Sequence, residues 1–196
     1  MVVPQPRRAL TQDVMRPSGA GGMLRPWCRA DAEALRTACR SSPDLETQFG
    51  DFPPTTLARA LQFIEHSLAF DDRTKNWAVV VDGVAVGNIG LSAIEWRHQT
   101  AWTYYWLATS ARGRGLASQG LTAVTGWAFE AGLFRLELRH RTNNPASCGV
   151  ATRCSFLAEG IERQKLQYGD SRFDVELHAR LATDPATDVA PLTIRS

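Results

Sequence analysis

The sequence predicts an α/β fold, a mixed sheet flanked by helices, and three observations carry that reading. Apolar residues recur at helical spacing in Leu57, Leu61, Ile64 and Leu68, and from residue 76 onward the period changes to that of strands. Two β-rich runs, 76–81 and 84–94, are joined by Asp82-Gly83, a strong signal for a two-residue hairpin turn. A third run, 100–108, passes through the turn Arg112-Gly113-Arg114-Gly115-Leu116-Ala117 into a helix and then an alternating strand. That last order is a β-α-β unit, for which a right-handed crossover and a parallel pair are expected. An antiparallel meander followed by a parallel pair makes a mixed sheet of about seven strands.

The elements follow in order. Residues 23–27 form a short strand, and Asp31 is placed to cap a helix reaching Arg40. Ser42-Pro43-Asp44 breaks that helix, and Pro53-Pro54-Thr55-Thr56 leads into a second one over 55–69. The meander occupies 76–108. A helix over 116–131 presents Ala117, Leu121, Val124 and Ala128 on one face and stops at Gly132. Residues 133–139 alternate as a strand with one buried face, Pro145 suits the first turn of a helix reaching Cys154, and 156–160 and 173–181 close the sheet. Residues 1–21 hold three prolines and few large apolar side chains, and read as a flexible arm. Residues 183–196 read as a second flexible tail, which leaves 22–182 as the folded domain.

Composition narrows the function. A formal net charge of +2 is too balanced to suggest a nucleic-acid groove or a membrane surface, so neither partner is expected. No apolar run approaches the roughly 20 residues of a membrane-crossing helix. Arg7-Arg8 is not followed by an apolar segment, which argues against an export signal. Cys28, Cys39, Cys148 and Cys154 show no CxxC spacing and the four histidines are scattered, so neither a disulfide framework nor a metal site is expected. A cytoplasmic protein with free thiols fits these features.

The Gly/Arg turn is the sharpest local signal. A helix N-terminus offers unpaired N–H groups and partial positive charge, which suit a phosphate. Gly113 and Gly115 remove side chains that would hold an anion away from the backbone, and Arg112 and Arg114 can add charged donors. The plain alternative is an ordinary βα turn with two solvated arginines. A Walker A loop is excluded because no Gly-Lys-Ser/Thr follows, and a dinucleotide fingerprint lacks its third glycine.

Five pieces in sequence order then converge. Leu24-Arg25-Pro26 is followed by Asp31-Ala32-Glu33; Tyr105-Trp106-Leu107 precedes the turn; the turn itself fits Q/R-x-x-G-x-G/A; Asn144-Pro145-Ala146-Ser147 fits N-x-x-S; and Phe156 to Gly160 fits G-F-x-x-E-G with Ser155 in place of the first glycine. Over residues 22–182 the chain resembles the GNAT N-acetyltransferases, and within them the ribosomal-protein N-acetyltransferase (RimJ/RimL) type. The resemblance implies the GNAT fold, in which the strands ending at Ala108 and starting at Leu133 splay apart to hold acyl-CoA. It implies acetyl-CoA as cosubstrate without a metal. Pantetheine would run along Trp106, Leu107, Ala108 and Thr109, and the pyrophosphate would sit on Arg112, Gly113, Arg114, Gly115, Leu116, Ala117 and Ser118.

The implied reaction is direct attack of an amine on the thioester, with the oxyanion held by a backbone N–H near Leu107. The resemblance points to Ser147 as the group beside the CoA sulfur; a purely local helix-start hydroxyl is the alternative. Asn144 either contacts pantetheine or caps its helix, and the two roles are compatible. The base is the gap in the pattern. Trp102 stands where this branch often has glutamate, and residues 149–154 hold no tyrosine. Glu95 and His98 are the nearest candidates, with His140 and Glu137 next, and Cys148 lacks a basic partner for a nucleophilic role. Without a carboxylate base the site favours an amine that is already partly neutral, and an α-amine titrates at about 7.7–8.0 against about 10.4 for lysine. The expected acceptor is therefore a protein or peptide N-terminal α-amine. A small-molecule amine, another donor such as succinyl-CoA, or a non-catalytic acyl-CoA-binding protein are the alternatives. A homodimer through the last strands is compatible with this family.

Overall fold

A computed structural model describes residues 22–50 and 52–195. The arm expected over 1–21 lies outside the described residues. The sheet has eight strands: β1 Met23–Pro26, β2 Lys75–Val81, β3 Val84–Glu95, β4 Thr100–Leu107, β5 Arg135–Arg141, β6 Leu157–Tyr168, β7 Ser171–Leu181 and β8 Thr193–Ile194. The helices are α1 Ala32–Ser41, the single turn α2 Glu46–Phe49, α3 Leu57–His66, α4 Leu116–Glu130 and α5 Pro145–Arg153. The strand order is β6-β7-β5-β4-β3-β2-β1-β8. β4 and β5 are parallel, as the β-α-β order requires, and β1 with β8 is the other parallel pair.

Both faces of the sheet are covered. On one, α4 and α5 pack over Val79, Ile89, Leu91, Leu136 and Leu138, with Leu121 and Val124 of α4 fully buried against them. On the other, α1 and α3 pack over Ala78, Val80 and Trp106, with Leu35 and Ile64 turned inward. Trp106 is the hub of that second layer, 5.9 Å from the Trp27 ring and 5.4 Å from Phe49. A buried polar chain joins the segment after β1 to three strands: Trp27 Nε1 donates to Asn88 Oδ1, Asn88 Nδ2 to Asn76 Oδ1, and Tyr104 OH to the same oxygen, at 2.8, 2.9 and 2.7 Å. Each buried amide therefore has a partner, without which it would be costly in a core.

Three expectations are corrected. The stretch after residue 182 is not a free tail in the structure. Thr193–Ile194 pairs with β1, the Leu192 N–H donates to Gln119 O at 3.2 Å, and the Leu192 side chain is buried. Its short apolar content, Leu192 and Ile194 among polar residues, gave no periodic signal, yet one buried leucine contributes about 1.5–3 kcal/mol. The strand expected over 156–160 runs on to Tyr168 and forms a hairpin with β7. β6 is an edge strand, exposed along most of its length and rich in Glu, Arg, Gln and Lys, so no buried face imposes alternation on it. Asp31 occupies the N-cap position of α1, but its side chain makes no cap bond. It accepts Arg25 Nη1 and Nη2 at 2.6 and 2.7 Å and the Cys28 N–H at 3.0 Å, pinning the chain that leaves β1.

Candidate functional site

The parallel pair at the centre of the sheet parts early. β4 and β5 are in register only at Thr100–Arg135, Ala101–Leu136 and Trp102–Glu137. Beyond Trp102 the two strands diverge, and a cleft of about 560 Å³ opens toward the C-terminal end of β4. A strand that loses its neighbour exposes backbone donors and acceptors along one edge. The Ala108 N–H faces the other way and donates to Val86 O at 2.8 Å. By strand alternation the amides of Leu107 and Tyr105 face the opened side.

The cleft continues onto the Gly/Arg turn. Gly113 and Gly115 sit at φ +74° and +77°, in the left-handed region that other residues adopt at a cost, and Gly115 is the N-cap of α4. The first intrahelical bond is Gln119 N–H to Gly115 O, so the N–H groups of Leu116, Ala117 and Ser118 precede the helical ladder, and all three residues line the cleft. Positive charge gathers around them: Arg112, Arg141 and Arg153 line the cleft, against the single carboxylate of Asp44. Arg153 Nε also approaches Ser118 Oγ at 3.4 Å.

Arg112 has a more particular position than its sequence suggested. Its Nη1 pairs with Asp44 at 2.8 Å and its Nε donates to Leu107 O at 3.0 Å. The guanidinium thus ties the end of β4 to the segment after α1. Ser42 strengthens the same junction by accepting the Thr109 N–H at 2.9 Å. Arg114 does not line the cleft, and neither do Ala108 and Thr109.

On the opposite wall, Asn144 caps α5 by accepting the Ser147 N–H at 3.1 Å. Asn144 lines the cleft, and capping through Oδ1 leaves its amide nitrogen available as a donor. Ser147 lines the cleft, and its carbonyl accepts the Tyr105 OH at 3.2 Å. Burial, the largest cause, pushes the Tyr105 phenol up to about 12, so it is a proton donor across the neutral range. Tyr105 belongs to the aromatic motif before the turn, whereas Arg141, Arg153 and the Asp44 segment are lining residues that no sequence motif signalled.

Glu95 and His98 stand apart from this cleft. They flank the exposed turn before β4, at the end where the strands are still paired, and Glu95 accepts the Arg97 N–H of its own turn at 2.9 Å. Glu137 is closer to the opening. It occupies the last paired position opposite Trp102 and lines a second pocket of about 320 Å³ with Trp102 and Arg139. There Arg139 stacks on the Trp102 ring at 3.8 Å, and Arg135 Nε donates to Glu137 at 2.8 Å. Of the neighbouring aromatic residues on the same face of β4, Trp106 is core, Tyr104 belongs to the asparagine chain, and Trp102 faces this second opening.

Known proteins place this geometry. The family model described as an acetyltransferase (GNAT) domain matches residues 23–157, from β1 to the start of β6. The ribosomal-protein-serine acetyltransferase of Escherichia coli (strain K12) is 34% identical over 108 residues, which span 55% of this chain and 60% of that protein. The uncharacterized N-acetyltransferase YoaA of Bacillus subtilis (strain 168) is 25% identical over 162 residues, covering 80% of this chain and 91% of that one. Among solved structures, RimL, a ribosomal L7/L12 alpha-N-protein acetyltransferase in complex with coenzyme A, superposes with a TM-score of 0.73 at 25% identity, over 81% of this chain and 92% of its own. The matched span holds the meander, the Gly/Arg turn, the parted parallel strands and the capped α5: the chain belongs to the GNAT acetyltransferase family.

Proposed function

We propose that the protein is an acetyl-CoA-dependent N-acetyltransferase whose preferred acceptor is a protein or peptide N-terminal α-amine. One observation carries the donor half. The opening between β4 and β5 leads without interruption onto the free N–H groups at the start of α4, beside three arginines. A pantetheine arm extends the sheet along the free edge of β4, and the pyrophosphate takes the N–H groups of residues 116–118.

The amine attacks the thioester carbon, and the carbonyl oxygen gains charge as the tetrahedral centre forms. The Leu107 N–H, turned toward the gap, stabilises it. The C–S bond then breaks, and the departing CoA thiolate accepts a hydrogen bond from Ser147 Oγ–H and takes its proton from solvent. Tyr105 holds the Ser147 backbone in place and remains protonated throughout. The proton lost by the amine goes toward the Trp102 side. Glu137, at the last paired position, takes it there through water, a better placement than Glu95 or His98. An α-amine, which arrives partly neutral, asks less of such a base than a lysine would.

The experiment is thiol release from acetyl-CoA with matched peptides: one with a free N-terminus and no lysine, one N-terminally blocked with lysines, and a panel of small amines. Turnover with the first and little with the others supports the reading. Turnover on lysine alone overturns the acceptor, and acetyl-CoA binding without turnover on any amine overturns catalysis.

A further inference from the structure

Behind the α5 wall of the cleft lies a cluster that the chemistry above does not use. His140 on β5 is in register with Glu176 on β7, and Glu176-Leu177-His178 places the glutamate and His178 on the same face of β7. Three side chains therefore converge on one face of an antiparallel pair, under α5, which contributes Cys148. His140 Nε2 and His178 Nε2 are 3.1 Å apart, and Glu176 Oε2 is 3.4 and 3.3 Å from them. The ligand atoms of all four residues lie within 4.8 Å of one another.

The hydrogen bonds behind the rings decide what the centre can hold. His140 Nδ1 faces Arg141 O at 3.0 Å, and His178 Nδ1 faces Phe156 O at 3.2 Å. A carbonyl only accepts, so each Nδ1 carries the ring proton. In the neutral rings both Nε2 atoms are then bare lone pairs, and they point at each other and at a carboxylate oxygen. Three acceptors meet, with both rings almost wholly buried, and the Cys148 thiol stands within 4.8 Å of them. Such an arrangement calls for a cation. An imidazole with its outer N–H fixed on a carbonyl is also how metal-bound histidines are oriented.

The geometry points to a divalent transition-metal site, of the Zn²⁺ kind, formed by His140 Nε2, His178 Nε2, Glu176 and the Cys148 thiolate. Tetrahedral zinc with bonds of about 2.0–2.3 Å spaces its ligand atoms roughly 3.3–3.7 Å apart. The two nitrogens and the carboxylate oxygen already stand at about that spacing, and a rotation of Cys148 closes the set. Metal entry displaces the Cys148 thiol proton to solvent. With four protein ligands the site is closed and structural. It joins β5, β7 and α5 at residues adjacent in sequence to Arg141 and Ser147, so it stiffens the wall that carries them. The histidines look scattered along the chain; the β5–β7 register brings two of them together.

The test is a titration of the chelator-treated full chain with Zn²⁺ against a chromophoric chelator, and with Co²⁺ as a spectroscopic probe. One equivalent of Zn²⁺ should bind, with a rise in melting temperature. Co²⁺ should give the strong visible bands of a tetrahedral site and a near-ultraviolet thiolate band. Cys148→Ser should lose the thiolate band, and His178→Ala should weaken binding by more than the roughly 10–100-fold cost of losing an outer-shell partner. Glu176→Gln, at a half-exposed position, serves as a second ligand variant should His178→Ala fail to fold. Zn²⁺ affinity unchanged in Glu176→Gln and Cys148→Ser overturns the site. So does Co²⁺ binding without tetrahedral bands, or no stoichiometric binding by the wild type, which would leave a shared proton as the cation between the rings.

Discussion

Replacing Gly115 by alanine separates the phosphate role of the turn from a merely connecting one. Gly115 caps α4 at φ +77°, and a Cβ there would meet only Gln119 Nε2, at 3.7 Å. The cost of Gly115→Ala is therefore backbone strain alone, about 1–2 kcal/mol for a left-handed residue. In a protein of this size that lowers the melting temperature by roughly 2–8 °C. The turn can escape the strain only by rotating the peptides that begin α4, which takes the N–H groups of residues 116–118 off the pyrophosphate. Losing one hydrogen bond to a charged group costs about 1.5–3 kcal/mol. Affinity for CoA should then fall by about 10- to 150-fold. Gly126 is the internal control, because it lies within α4 with ordinary φ and open space at its Cβ. Gly126→Ala should raise stability by about 0.5–1 kcal/mol and leave CoA affinity unchanged. Calorimetric titration of CoA and thermal melts of both variants read the two effects. Wild-type affinity in a Gly115→Ala protein that melts several degrees lower would refute the phosphate role of these N–H groups.

Four further outcomes follow from the same geometry. Ser147→Ala should lower kcat by about 10-fold or more with little change in acetyl-CoA affinity, as for a group that acts on the leaving thiolate; single-turnover kinetics would show it. Glu137→Gln should reduce kcat/KM for an α-amine peptide most at low pH, where the amine is charged, whereas Glu95→Gln should not; the two pH–rate profiles decide between them. Truncation after residue 186 removes β8 and buried Leu192, and should destabilise by at least the 1.5–3 kcal/mol or so of one buried leucine, read by denaturant unfolding. Burial alone would raise the Asp31 carboxyl, but the Arg25 pair and the Cys28 N–H outweigh it and hold it below the usual carboxylate range. Stability from this pair is therefore present above the unfolded value of about 3.9 and lost as pH falls through the lower folded value. Asp31→Asn should melt lower at neutral pH and show a flatter acid limb in a melting series.

The parts of the fold that were legible in sequence are those with one buried face and a marked turn. Asp82-Gly83, the alternation of Leu136 and Leu138, and Pro145 after Asn144 each forced a local choice that packing then kept. β6 was illegible past Gly160 because an exposed edge strand is under no pressure to alternate. β8 was illegible because two residues carry no period. At the site, the glycines and the N-x-x-S element were readable because backbone conformation and capping need those residue types. Asp44, Arg141 and Arg153 were not, since what places them is the third dimension: a salt bridge across 68 positions, a strand end and a helix end. The same holds for Glu137, whose position means something only once β4 and β5 are known to part beside it. Glu95 and His98 looked near the centre because they precede β4 in sequence, but they flank the end where the pair is still closed.

The central claim is that the parted strands and the start of α4 hold an acyl-CoA. Its most direct test is a thermal-shift series with CoA, acetyl-CoA, succinyl-CoA and free adenosine nucleotides. A ligand at about 100 times its dissociation constant adds roughly 2.7 kcal/mol of stability, equivalent to about 5–11 °C here. The account predicts a shift of that size with acetyl-CoA and CoA, diminished in Gly115→Ala. No shift with any CoA thioester would contradict it.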